Sequence, residues 1–377
     1  MTGTTTGQLP LTTATDSDDT ENFLTVSLTA VLQSLTNLFD SVTGHDHSGA
    51  GKGAPVVLGA ASVGTAAIAN GAVTNAKLAA DVARANQLVN GGHDVWGRGT
   101  SAFTATAAYA ADRWQITLAG TDTLSVIRNT ANVDVGSVAC SACTFVLGSG
   151  AGATRYSQVL KVSDGHQLAG RTISLSARRR TATANAVRVG ILTDGTGGTT
   201  TFSGFHTGGG TFETLTATVT VPADATTITI STYFAASCTA YCDNDNLIVG
   251  SVAADYVPLH PADDLARCQR YYYRIAGQTV GTVVATGHVY ATTDAMLPLP
   301  LFAKLAVTPT ITVSAAGDWA VASATFVSQT CTALVGYTSS SDRMSLHATV
   351  AAGLVAGNAT TFVTLNANST VTAEANP

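Results

Sequence analysis

A chain of 377 residues can hold two or three domains, each burying its own core. Only 11% of the residues are charged, under half the roughly 25% of an average globular protein, and the net charge is −6. With lysine confined to Lys52, Lys77, Lys161 and Lys304 there is no basic footprint for nucleic acid or for an anionic membrane, so neither is expected as a partner.

The first 20 residues lack the basic start and apolar run of a secretory signal. From Glu21 the strongest periodicity begins: Leu24, Leu28, Val31, Leu35, Leu38 and Val42 are spaced by four and three in turn, the heptad seam of a coiled coil. Asp18, Asp19 and Glu21 stand where a helix N-terminus attracts negative charge. Three heptads cannot hold an isolated helix in water, so the seam predicts self-association, with packing on the chain's own domain as the alternative.

Gly44-His45-Asp46-His47-Ser48-Gly49 follows, and then a second repeat in which Leu58, Val63, Ile68, Val73 and Leu78 recur every five residues. A period of five keeps no face of a helix or flat strand buried, which predicts a thin, turn-punctuated shaft that buries its stripe against other copies. In a three-fold stem, His45 and His47 of three chains would offer six imidazoles, an octahedral set for a transition metal; the plain alternative is a turn-rich link with solvated histidines.

Beyond the shaft the pattern is of short strands: Ser157 to Val162, Arg171 to Ala177, Ala186 to Leu192, Glu213 to Val221 and Thr227 to Phe234, separated by Gly, Asp and Pro turns. Regular short strands without a helical period predict a sandwich. No window approaches the roughly 18 apolar residues of a membrane span; the richest, Leu297 to Val307, is broken by Pro298, Pro300 and Lys304.

Several motifs carry a resemblance. AAIANGAVTNAKLAADV resembles the repeats between the virion-binding end and the tip of phage tail-fibre proteins. Asn86-Gln87-Leu88-Val89-Asn90-Gly91 with Trp96-Gly97-Arg98-Gly99-Thr100, and then Tyr109-Ala110-Ala111-Asp112-Arg113-Trp114, is similar to the opening of a jelly-roll domain in such fibres. Leu265-Ala266-Arg267-Cys268-Gln269-Arg270-Tyr271-Tyr272 resembles the joint before their C-terminal domain, whereas Pro298 to Val313 lacks the family's Met-Arg pair. Leu168 to Leu175 and Asp243 to Gly250 resemble strands of carbohydrate-binding-module jelly rolls, where such aspartates often hold a structural calcium; this implies Asp243 and Asp245 as ligands, against their ordinary role as turn residues.

The resemblance implies a mainly β, trimeric virion fibre. Residues 1–45 would form the virion-anchoring segment with its coiled-coil helix, 46–85 the linker and pentad shaft, 86–260 a jelly-roll β-sandwich and 261–377 a C-terminal β-sandwich tip. Its partners would be two further copies, virion proteins at the N-terminus, and host surface polysaccharide. The alternatives are a head or collar fibre that decorates without recognising, and a glycan depolymerase.

Hydrolysis needs two carboxylates about 5–10 Å apart in a cleft. The pairs on offer (Asp243 with Asp245, Asp263 with Asp264, Asp294 with Asp318) each have a turn or helix-start explanation, and no enzyme is expected. Six cysteines are too scattered for a disulfide framework; Cys140-x-x-Cys143 with Cys238-x-x-x-Cys242 has zinc-like spacing but lies in apolar strand pattern. Sugar binding would use exposed aromatics. Trp114, Tyr233, Tyr241 and the run Tyr271-Tyr272-Tyr273 are available, and Tyr272, Trp319 and Tyr337 are the favoured platforms. Arg179, within Arg178-Arg179-Arg180, is the contact for acidic glycan unless the run is a solvated strand end.

Overall fold

The computed structural model describes residues 28–33, 86–150, 152–276, 279–322 and 327–376. By internal contacts the chain separates into a unit of Met1–Val73 and one of Thr74–Pro377. In the first, residues 28–33 are helical and carry Leu28 and Val31 exposed at 64% and 55%. Leu24, Leu35, Leu38, Val42, His45, His47 and the whole pentad shaft lie outside the described residues.

The second unit opens with a ten-stranded sandwich. One sheet runs β1 (Gln115–Thr117), β4 (Arg155–Lys161), β9 (Thr227–Phe234), β6 (Val187–Thr193), β7 (Thr200–Phe202). The other runs β2 (Thr123–Asn129), β3 (Cys140–Val146), β10 (Cys238–Val249), β5 (Thr172–Thr181), β8 (Phe212–Thr220), and all pairings in both are antiparallel. The period of two fixes the faces. Leu215 and Ala217 of β8 enter the core while Thr214, Thr216 and Thr218 stay exposed, and Ile228, Ile230 and Phe234 of β9 do the same from the opposite sheet.

A helix, α1 (Pro261–Gln269), leads into the last domain. His260 caps it by accepting from the Ala262 amide, and Pro261 sits at its first position, where the missing N–H costs nothing. There β11 (Tyr272–Ala276), β19 (Thr370–Glu374) and β14 (Thr310–Val313) form one sheet. The second layer expected of a sandwich closes on itself as a six-stranded barrel in the order β12 (Val283–Ala291), β13 (Asp294–Leu299), β17 (Met344–Val350), β16 (Ser328–Ser339), β15 (Trp319–Ala322), β18 (Ala359–Thr364). Strand β18 pairs back onto β12, which removes the unpaired edges of an open sheet. Met344, Leu346, Ala348 and Val350 of β17 point to its core, and Ser345, His347 and Thr349 point out.

Candidate functional site

The outer face of the β9 sheet gathers unpaired cations and a ring on one surface of the sandwich. Strand parity with the core residues of β1, β4, β6 and β9 turns three cross-strand rows outward: Thr117–Arg155–Tyr233–Arg188, Gln115–Ser157–Ser231–Gly190–Phe202, and Val159–Thr229–Leu192–Thr200. Small side chains on the central strands make a floor, and longer ones rise on the flanks. Ser157, Thr229 and Ser231 are accordingly buried between taller neighbours.

Two rings line this floor, Tyr233 buried at 7% exposure and Phe202 exposed at 37%. Phe202 meets Tyr233 edge-on, with ring centroids 5.0 Å apart. Gly190 permits that approach, since a Cβ there would lie 2.9 Å from Phe202 and 3.0 Å from Tyr233. The Arg188 guanidinium lies 3.5 Å from the Phe202 ring centroid and 4.8 Å from that of Phe205, so cation–π attraction fixes a long side chain at the rim. Arg155, Arg188 and Lys161 supply three positive charges, none ion-paired among the described residues. Two buried polar atoms of the face, Arg155 Nε and Ser231 Oγ, have no hydrogen-bond partner among the described residues. Leaving such groups dry costs about 1–3 kcal/mol each. No Asp or Glu occurs in any of the five strands.

The motifs that carry the phage-fibre resemblance meet elsewhere, at the junction of sandwich and tip. Arg98 donates to Asp112 at 3.1 Å and to both oxygens of Glu374 at 2.7 and 2.8 Å, while lying 3.9 Å over the Tyr272 ring. Arg113 stacks 3.9 Å over Tyr271 and donates to Asn376. Asn90 donates its amide to Asp264 of α1, and its side chain closes the loop through Val95 and Asp112. Burial pushes the Asp112 carboxyl up to about 6, against the pull of Arg98 and the Gly97 amide. These residues lock two domains together, and the lock borders two clefts of about 220 and 250 Å³, one lined by Gly97, Asp112, Tyr272 and Arg274 and the other by Asp164, His166, Arg270 and Tyr271.

Of the proposed platforms, Tyr272 belongs to that lock, while Tyr271 and Tyr273 are buried on either side of it. Trp319 is wholly buried and stacks on Phe362 at 4.4 Å, so it is core and not a platform. Tyr337 is 60% exposed. Arg179 is a correction: it points between the sheets and is 1% exposed, because it shares the core-facing parity of Ile173, Leu175 and Ala177 on β5. It donates to Asp245 at 2.7 Å and Thr232 at 2.9 Å, and Asp245 in turn meets His93 Nε2 at 2.8 Å. His93 Nδ1 faces Ser141, which bonds Tyr156. Burial works against charge on Arg179, but Asp245 more than restores it; His93 is held below its usual range by burial, which outweighs Asp245. Neighbouring Arg178 points outward to Asp134 at 2.6 Å, and Arg180 lies over Tyr241 at 5.4 Å.

The calcium expectation for Asp243 and Asp245 is likewise corrected. A β-bulge between Asp243 and Asn246, with Asn244 at φ 51°, turns the two carboxylates to opposite faces of β10. Asp245 is engaged by Arg179 and His93, and Asp243 accepts from the Asp134 amide and Ser137. Among the described residues no cluster of three or more His, Cys, Asp or Glu is arranged to hold a metal. Cys140 and Cys143 face opposite sides of β3, so the four-thiolate set is not assembled, although Cys143 and Cys242 approach to 3.8 Å as free thiols. The other carboxylates are similarly occupied: Asp264 by Asn90, Asp294 by His347 and Thr349, and Asp318 by Asn366.

No family model and no curated protein matches the chain. Among solved structures it is similar to a CBM4 carbohydrate-binding module, at 20% identity over 43% of this chain and 98% of that one, with a TM-score of 0.29. It is also similar to the CBM22-1 xylan-binding domain of Paenibacillus barcinonensis Xyn10C, at 10% identity over 41% and 97%, with a TM-score of 0.30. A third similarity is to the enzymatically active domain of tailspike protein 4 of bacteriophage CBA120, at 15% identity over 44% of this chain but only 21% of that one, with a TM-score of 0.32. At such scores the fold rests on the strand pairing above and not on likeness.

Proposed function

We propose that the chain is a non-enzymatic fibre subunit of a tailed-phage virion, trimerised through its N-terminal segment, whose sandwich binds acidic cell-surface glycan on the outer face of the β9 sheet. The carrying observation is that face: three cations without an ion partner among the described residues, with the exposed Phe202 ring held at the rim by Arg188. Rings offer a flat apolar surface to the C–H side of a sugar, and guanidinium groups suit its carboxylates or phosphates. The absence of any carboxylate from the five strands favours binding over cleavage, since glycoside hydrolysis needs a pair of them. Placement on a virion rests on the motif resemblance, and three copies per fibre would multiply weak single-site affinity.

The test is binding of the full chain to host and non-host cells, with polygalacturonate and dextran as competitors. Host-restricted binding displaced by the polyuronate is expected, with at least a tenfold loss, about 1.4 kcal/mol, in an Arg155→Ala/Arg188→Ala variant. Undiminished binding by that variant would exclude this face. No binding to host cells at all would favour a decorating fibre.

A further inference from the structure

A second constellation lies on the outer wall of the tip barrel, where adjacent strands bring Tyr290 of β12, Asp294 of β13, His347 of β17 and Tyr337 of β16 together. Tyr290 and Tyr337 are 47% and 60% exposed, unusual values for side chains that could have been buried. Their rings lie 5.7 and 5.9 Å from the imidazole of His347, which stands between them. His347 is itself held: its Nε2 is 2.9 Å from Asp294 Oδ1, which also accepts from Thr349, while Asp294 Oδ2 accepts from Thr293.

The protons in this network follow from donor and acceptor capacity. Those hydrogen bonds, from Thr293 first and then Thr349 and His347, keep the Asp294 carboxyl below its usual range. A carboxylate only accepts, so Nε2 of His347 must carry the hydrogen. The Tyr290 hydroxyl, 2.5 Å from that same Nε2, therefore accepts there, and its own proton points away as a free donor. Nδ1 of His347 has no hydrogen-bond partner among the described residues. The cluster thus presents two aromatic faces, one oriented O–H donor and one unpartnered ring nitrogen. The Asp294 charge behind them would repel an anionic ligand.

We infer that this wall of the tip is a second carbohydrate site, taking a neutral pyranose that stacks on Tyr290 or Tyr337 and exchanges hydrogen bonds with the Tyr290 hydroxyl and His347. It is independent of the sandwich face, and its charge sets it apart: the sandwich face is cationic and should be salt-sensitive, whereas this one should not be.

Saturation-transfer NMR of the full chain with methyl β-D-glucopyranoside tests the proposal. Transfer concentrated on the ring protons of one sugar face, and unaffected by 0.5 M salt, is expected. Affinity should fall roughly tenfold in Tyr337→Ala, with a further loss in Tyr290→Phe, which keeps the ring and removes the donor. Both positions are exposed, and unchanged thermal unfolding of the variants would separate lost binding from lost fold. The Arg155→Ala/Arg188→Ala variant should retain the signal, so failure of the sandwich face and failure of this one are read separately. The proposal is overturned by no transfer, by transfer that survives Tyr290→Ala/Tyr337→Ala, or by loss of oligomer mass in that double variant, which would make the cluster a contact between copies.

Discussion

Replacing Arg179 with methionine separates a core role from a glycan contact. Its guanidinium bridges the sheets, bonding Thr232 of β9 and the Asp245 carboxylate of β10 while fully enclosed. Removing it leaves Asp245 buried with His93 as its remaining partner. Breaking one side of a buried ion pair typically costs about 3–5 kcal/mol, because the surviving charge keeps its desolvation penalty. At 2–4 °C per kcal/mol for a domain of this size, Tm should fall by roughly 6–20 °C. Arg179 also depresses His93 electrostatically, so without it His93 takes up a proton more readily and the deficit should shrink on acidification. Differential scanning calorimetry on Arg179→Met, Asp245→Leu and the double variant gives the cycle. The double should recover part of the loss, since neither charge then remains. A single-variant loss below about 1 kcal/mol, or a double worse than the sum of the singles, would refute the bridging argument.

Other consequences are also testable. Burial pushes the Asp243 carboxyl up to about 7 and that of Asp112 to about 6. A carboxyl raised in the fold contributes stability that is full below its unfolded value near 4 and is lost as pH rises through the folded value, so Tm should decline between about pH 4 and pH 7 and level off above that. For Asp243 the effect is up to about 4 kcal/mol, and Asp243→Asn should flatten the decline in a calorimetric pH series. Asp194 and Asp224, held low by Thr226 and Thr196, act in the opposite sense and lose their contribution only as pH falls below about 4. Arg98→Ala should cost about 2–3 kcal/mol and split melting into two transitions, because it strands buried Asp112 and frees Glu374; an unchanged single transition would show that the junction does not depend on it. Deleting residues 1–45 should leave a folded chain that no longer joins particles, checked by thermal unfolding and by virion incorporation; normal incorporation would refute the anchoring role.

Much of the fold was legible because it follows from alternation. The predicted strands Ser157 to Val162, Ala186 to Leu192, Glu213 to Val221 and Thr227 to Phe234 coincide with β4, β6, β8 and β9 to within two residues. β2 and β3 were not legible. Ala142 and Cys140 make the outward side of β3 as apolar as its inward side, which erases the period of two. The bulge in β10 also defeats alternation, since one inserted residue sends Asp243 and Asp245 to opposite faces. Arg179 could have been read correctly: counting by twos from Ile173 through Leu175 and Ala177 places it inside. A run of three arginines hid that parity behind its composition.

The recognisable motifs and the candidate binding surfaces do not coincide, and there is a physical reason. Arg98, Asp112, Arg113, Tyr271 and Tyr272 form a junction in which each group needs a particular partner at a particular distance, so the pattern is dense in the sequence. The outer face of the β9 sheet asks less of any one position. Tyr233, Arg188, Phe202 and Ser231 come from three strands with loops between, and they become neighbours only through the order β4-β9-β6-β7. Parity along β9 already turns Tyr233 outward, but nothing local says that β6 and not β8 lies beside it. The same holds on the tip, where His347 was not singled out and Tyr290 is 57 residues away from it in sequence. A binding face built by strand order can change its side chains without disturbing the lock that holds the domains. That separation predicts that substitutions at Arg155, Arg188 and Tyr337 alter the proposed glycan binding with little change in Tm, whereas those at Arg98 and Arg113 do the reverse.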